Sequence, residues 1–420
     1  MKRMGRSGVL VLSEAIVITA TGAEPFEGAV VVEEDRIVDI LEGASDGGDA
    51  PDGARVVRLA GRSLIPGLID AHVHAAAVDA DLAGQAHRRY ESEVALLAGV
   101  SLERMLARGF TTVRDAGGVD AGFRRAIESG AIAGPRLLVS GRPLTQTGGH
   151  GDQRMPAEIS TLGGCAPHVG MVHALADGPD EVRRTAREEL RRGADQVKVM
   201  AGGGVVSPAD RLESVQYSYE ELAAAVAAAS AAGSYVLAHA YTPQAIQVCV
   251  EAGVRSIEHG NLLDEPSAKL MAAHGTYLVP TLVTYEKLHE EGEQHGIAKE
   301  SLDKLERVLD AGLESLRIAT QAGVKIASGS DLLGPMRRYQ GEEIGIKARA
   351  LSSMGAIVAA TRTNAELLGL TAEIGTIEPG KVADLVVANG NVLEDPALLG
   401  RADGIGLVVQ AGKVVHERLS

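Results

Sequence analysis

The chain has 420 residues, with 41 Lys+Arg against 56 Asp+Glu and a formal charge of −15. That balance argues against a binder of nucleic acid or anionic membrane, whose contact face needs net Lys/Arg. Its 45 % hydrophobic and 23 % charged residues exclude a disordered chain, its two isolated cysteines (Cys165 and Cys249, with no CxxC) exclude a disulfide scaffold or cysteine-based zinc site, and 3 % aromatics without Trp leave no stacking platform for bases.

At the N-terminus Lys2, Arg3 and Arg6 precede an apolar stretch from Val9 to Ala20, in the manner of a signal peptide. Glu14 interrupts it, however, and AIVITATG alternates as a strand does. No segment reaches the ~18 uninterrupted apolar residues of a membrane span. A cytoplasmic protein is the expectation. GAVVVEEDRIVDI is two apolar runs around a polar turn, which predicts a hairpin, and RVVRLAG predicts another strand. The C-terminal stretch IGTIEPGKVADLVVANG and GIGLVVQAGKVV also reads as strands with Gly-containing turns. Residues 1–63 and 371–420 are therefore expected to build one small β domain from both ends of the chain.

Between them, residues 64–370 change rhythm. LIPGLIDAHVH, FTTVRDAG, RLLVSG, QVKVMAG, YVLAHAY, SIEHGN, YLVPTL and KIASGSD are candidate strands, and helices are expected at 92–108, 180–192, 218–232, 243–252 and 264–274. Such alternation predicts an α/β fold with a (β/α)8 TIM-type barrel. A doubly wound open sheet is the alternative, but no GxGxxG follows the first strand of the series, and GGG at 202–204 lacks the Lys-Ser/Thr of a phosphate loop. The helical region 285–322 reads as a lid or an interface.

Functional side chains of a barrel sit at the C-terminal ends of its strands. Read in order, those ends carry His72 and His74, then Lys198, His239, His259 and Asp331. Residues i and i+2 of a strand point the same way, so His72 and His74 can share one metal ion. His239 and His259, from adjacent strands, can converge on a second. Nitrogen and oxygen donors suit zinc or a similar divalent ion. Asp331 can ligate and accept a proton. Lys198 fits beside a dication only when neutral or converted, for instance to a carbamate formed with CO2. Singly, each has a plain structural reading: a core His-x-His, a snorkelling Lys198, Asp331 as a helix N-cap. Six such readings would have to coincide at successive strand ends, and the metal site is the simpler account.

GLIDAHVH, the fourth-strand lysine, the AHA and EHG histidines and the GSD aspartate together resemble the amidohydrolase superfamily, in its binuclear metal subtype, over nearly the whole chain. PGKVADLVV is similar to part of that superfamily's accessory β-sandwich. The resemblance implies one zinc-like ion on His72, His74 and Asp331 and a second on His239 and His259. It also implies that carboxylated Lys198 and a hydroxide bridge the pair. The hydroxide attacks an amide carbonyl, and Asp331 shuttles the proton to the leaving nitrogen.

The third strand leads into GRPLTQTGGHGDQR, where His150 is a candidate donor to the substrate carbonyl oxygen, or a loop histidine bonded to backbone. Tyr241, two residues after His239, is a candidate substrate contact or a rim tyrosine. Arg337 or Arg338 can fork onto a substrate carboxylate, although a solvated loop arginine is the commoner case. TGGHGD, AHAYTPQAI, SIEHGN, GSDLLG and RYQGEE resemble the imidazolonepropionase-related branch with its Xaa-Pro dipeptidases (prolidases). That resemblance implies hydrolysis of the amide linking an acyl group or amino acid to a C-terminal amino acid, in a small carboxylate-bearing substrate. Cyclic amides, carbamates, ureas and mycotoxin amides are the alternatives. A homo-oligomer is expected, and neither nucleic acid nor membrane is an expected partner. A metal-free barrel enzyme would bind no ion, a noncatalytic binding protein has no use for a complete ligand set, and no GxSxG supports serine catalysis.

Overall fold

A computed structural model describes residues 8–43, 53–154, 169–207 and 210–419. The chain divides into two compact units. One comprises Met1–Ile69, Arg104–Thr112 and Ile344–Ser420, and the other Asp70–Glu103 and Val113–Glu343.

The first unit joins both ends of the chain in one eight-stranded sheet. Its strands are β1 (Val9–Val17), β2 (Phe26–Glu33), β3 (Arg36–Glu42), β4 (Arg55–Arg58) and β5 (Ser63–Pro66), then β15 (Leu385–Ala388), β16 (Ile405–Gln410) and β17 (Lys413–Glu417). The order is β17-β16-β15-β5-β1-β2-β3, with β4 also on β1. The expected hairpin is β2–β3, paired antiparallel. β1 buries both faces: Leu10 and Leu12 pack with Val30, Val32, Leu385 and Leu407, while Val9 and Val11 pack with Ala29. Burial on both sides explains why its sequence is a nearly continuous apolar run. The run LIPGLIDAHVH, expected as one strand, is two. It breaks at Gly67, where a Cβ would collide with the Thr111 side chain, and β5 joins the terminal sheet while β6 (Leu68–Val73) begins the next.

The middle of the chain supplies β6, β7 (Phe110–Asp115) and β8 (Arg136–Val139) as one sheet. A second sheet holds β9 (Leu144–Thr145), β10 (Ala174–Leu175), β11 (Val197–Met200), β12 (Val236–Ala240), β13 (Ser256–His259) and β14 (Tyr277–Val279), in the order β10-β9-β11-β12-β13-β14. All its pairings are parallel. Backbone hydrogen bonds cross between the two sets. Asp195 N–H donates to Val139 O at 2.8 Å. The segment 325–331, the expected eighth strand, bonds to β14 (Ala327 N–H to Leu278 O, 2.8 Å) and to β6 (Ala71 N–H to Ser328 O, 2.8 Å).

The expected helices appear as Glu91–Ala107, Pro179–Arg191, Tyr219–Ala231, Pro243–Glu251 and Glu265–His274. Their ends are written in the sequence: Ser218 and Glu221 form a capping box, Thr242 caps ahead of Pro243, and Asp264 caps a helix closed by left-handed Gly275. Ala225, Ala229, Ile246, Val250, Ala268 and Met271 of these helices share a core with Val197, Val199, Ala238 and Ile257 of the strands. Strand alternation then sends Lys198 and His239 to the opposite side of their sheet. Among the described residues no helix is long and apolar enough to cross a membrane. Cys249 is a buried free thiol, and Cys165 lies outside the described residues.

Candidate metal centre and active site

Eight of the residues singled out from the sequence, His72, His74, His150, Lys198, His239, Tyr241, His259 and Asp331, line one cavity. His72 and His74 reach it by their i, i+2 spacing. His259 does so differently: regular alternation would place it with Ile257, against the helices, but its backbone turns left-handed at φ 75°. Asp331 is also left-handed, at φ 51°. Two non-glycine residues in that region at one site mark local strain that the surrounding structure must hold.

The Asp331 carboxylate is the centre of the group. Its Oδ1 lies 3.3 Å from His74 Nε2 and 3.5 Å from His72 Nε2, and its Oδ2 lies 3.9 Å from His259 Nδ1. Donor atoms of His72, His259 and Asp331 all fall within 4.8 Å of one another. The His239 ring stands 4.6 Å from that of His259, centroid to centroid. Each histidine has one ring nitrogen tied down. His72 Nδ1 bonds Glu258 Oε2 at 2.7 Å, His74 Nδ1 donates to Gly117 O at 2.7 Å, His239 Nε2 donates to Gly203 O at 3.0 Å, and His259 Nδ1 meets Thr281 Oγ1 at 2.8 Å. Asp331 caps no helix, because the next helical turn, Gly334–Tyr339, has Leu333 at its N-cap. Lys198 is 1 % exposed and does not snorkel.

Burial sets the direction for three of the four histidines. It holds His72, His239 and His259 well below the usual imidazole value. It pushes the Lys198 amine down to about 8, against the attraction of Glu258 and Asp331. For Asp331 burial works upward, but His72, His74 and Lys198 outweigh it and leave the carboxyl below its ordinary value. Burial also raises the hydroxyls of Tyr241 and Tyr285, which meet at 2.9 Å.

Tyr285, His173, Gln153, Thr284 and Leu288 line the same cavity and were not singled out from the sequence. Tyr285, Thr284 and Leu288 come from the helix Leu282–Glu291, which overlaps the start of the 285–322 region expected as a lid or interface, and they form a wall of the site. No local signal marks them. The arginines considered for a substrate carboxylate do not line it. Arg337 donates to Ala75 O and Gly334 O, and Arg338 pairs with Glu291.

The amidohydrolase family profile matches residues 63–415. The chain belongs to the amidohydrolase family. It is accordingly a hydrolase acting on C–N bonds, in a family that generally uses divalent metal ions. A prolidase crystallised with N-methylphosphonate-L-proline is 41 % identical and superposes with a TM-score of 0.92, over 97 % of this chain and 99 % of that one. The ochratoxinase of Aspergillus niger is 31 % identical, over 97 % of this chain and 86 % of that protein. An imidazolonepropionase of Rhizorhabdus wittichii is 29 % identical, over 89 % of this amidohydrolase and 90 % of its own length.

Proposed function

We propose that this amidohydrolase cleaves the amide bond to a C-terminal amino acid, in an Xaa-Pro-type dipeptide or an N-acyl amino acid, at a pair of divalent ions, zinc by the nitrogen and oxygen donors on offer. The observation that carries the reading is the convergence of His72, His259 and Asp331 within 4.8 Å, in one cavity with His74, Lys198 and His239. The donor set fits: one nitrogen of each ring is fixed by a hydrogen bond, and among the described residues no thiol lines the cavity. Hydrogen bonds at both seams support reading the middle strands as a closed (β/α)8 barrel with this cavity at its mouth.

In this reading His72, His74 and Asp331 would hold one ion and His239 and His259 the other, and Lys198, once carboxylated by CO2, would offer oxygen donors to both. Its depressed basicity favours the uncharged amine that such a modification needs. Bound ions supply an activated water near neutral pH and polarise the substrate carbonyl. Asp331, held below its ordinary value, is ionised there, takes a proton from the water and delivers it to the leaving nitrogen. His150 and Tyr241 donate hydrogen bonds to the carbonyl oxygen as it gains charge, with the Tyr285 hydroxyl bracing that of Tyr241. The likeness to a prolidase with a proline phosphonate favours an amino-acid leaving group. The likeness to ochratoxinase keeps a mycotoxin-type amide as the second reading.

The test is a panel of Xaa-Pro, Xaa-Arg and N-acyl amino acids set against lactams, carbamates and ureas, with metal content measured on the same preparation. The highest kcat/KM is expected in the first group, and turnover confined to the second would end the proposal. Asp331→Asn should retain most of the metal and lose about 10²–10⁴-fold in kcat. Near-native turnover in the metal-loaded variant would remove the role given to Asp331.

A further inference from the structure

Glu258 immediately precedes His259, but its carboxylate does not line the cavity. It sits on the far side of His72, 0 % exposed, with Oε2 2.7 Å from His72 Nδ1. Three other bonds hold it there. Arg114 Nη2 donates to Oε1 at 2.9 Å and to Oε2 at 3.0 Å, and Ser256 Oγ donates to Oε1 at 2.6 Å. Arg114 is also 0 % exposed, and it is itself fixed by the Ala71 carbonyl and by Ser256 Oγ at 3.2 Å. The assembly draws on β6, β7 and β13.

A fully buried ion pair is a poor way to gain stability, since well-packed apolar side chains of similar volume often do as well or better. Its presence directly behind a candidate ligand calls for another reason. A carboxylate can only accept from His72 Nδ1. The ring proton is then on Nδ1, and Nε2 keeps its lone pair on the cavity side, 3.5 Å from Asp331 Oδ1. Among the described residues, the corresponding partners of His74, His239 and His259 are neutral oxygens of Gly117, Gly203 and Thr281. His72 alone of the four is backed by a carboxylate group.

We propose that Glu258, locked by Arg114, is a positioning residue that fixes the Nδ1–H tautomer of His72, makes Nε2 its metal-binding atom and strengthens that atom as a donor. The proposal rests on the reading of His72 as a ligand given above. It concerns metal affinity and ring protonation, so its test needs no substrate.

Metal-free full-length protein is titrated with Zn(II) in competition with a chromophoric chelator. Glu258→Gln is expected to bind at least one zinc 10–100-fold more weakly than the parent. Because that variant leaves Arg114 buried without its counter-charge, Arg114→Met/Glu258→Gln is measured beside it. The double variant carries neither charge and is expected to show the same loss, with a far-UV circular dichroism spectrum unchanged from the parent. The third arm needs no variant at the pair. In ¹⁵N-histidine-labelled metal-free parent, the His72 ring, assigned by its absence in His72→Asn, should carry its proton on Nδ1. Parent-like zinc affinity in the folded variants, or a His72 proton on Nε2, overturns the proposal. Failure of the parent to bind zinc at all would instead overturn the ligand reading, while the ring-proton measurement still decides the role of Glu258.

Discussion

His150 is held by contacts that leave its ring little choice. The imidazole lies over Gly204, where a Cβ would collide with it, and stacks on His239 with centroids 4.3 Å apart. Its backbone N–H donates to Gln216 Oε1 at 2.7 Å, and Gln216 Nε2 donates to Asp210 Oδ2 at 2.8 Å. That same Oδ2 lies 3.7 Å from His150 Nδ1, a buried nitrogen with no hydrogen-bond partner. A methyl group at position 204 would push the ring out of its seat and away from the substrate carbonyl. An ångström-scale misplacement of a reacting group is enough to cost about 10²-fold in rate. Gly204→Ala should therefore lower kcat by about that factor, with metal content and melting temperature close to the parent. Steady-state kinetics on the best panel substrate checks this, and an unchanged kcat would separate His150 from the chemistry.

At the scale of elements, a half-buried lysine helps to hold the loop from β11 to the helix Tyr219–Ala231. Lys304, on the helix Lys299–Gln321, donates to the carbonyls of Gly204 (3.3 Å), Ser207 (3.1 Å) and Asp210 (2.7 Å). Lys304→Met should free that loop. Faster amide hydrogen exchange through 201–207 and a several-fold higher KM are expected, with global stability little changed. Exchange indistinguishable from the parent would show that other contacts hold the loop. These ties also mark where sequence reasoning stops. Helices were legible because capping residues, Pro and Gly bracket them. The His72, His74, Lys198, His239, His259 and Asp331 series was legible because each residue closes or lies within an apolar run. The break at Gly67 was not, since it depends on Thr111, a neighbour only in space. The Glu258 bond to His72 spans 186 residues, and Lys304 meets its carbonyls from about a hundred residues away. Such pairings leave no periodic trace in the chain.

At the scale of the whole molecule, the site draws on the stability of the fold through Lys198. Burial, joined by the repulsion of Arg114, brings its amine down from 10.5 to about 8, although Glu258 and Asp331 pull the other way. The folded chain thus releases this proton near pH 8, and the unfolded chain releases it near pH 10.5. Between those values the unfolded state binds more protons, so stability rises with pH. Below pH 8 the folded chain bears the full cost of a buried ammonium, and above pH 10.5 that cost is gone. The gap corresponds to about 3 kcal/mol at ~1.36 kcal/mol per pH unit. Conversion to a carbamate removes the ammonium altogether, so the rise belongs to the unmodified, metal-free protein. In CO2-free, metal-free buffer, denaturant unfolding should show stability increasing by up to about 3 kcal/mol from pH 8 to 10.5, measured relative to Lys198→Met, in which this contribution is missing. Loading with zinc and bicarbonate should abolish the difference in slope between the two proteins. Parallel curves in the metal-free state would mean that the amine keeps its proton when buried, and the chemistry proposed for Lys198 would lose its starting point.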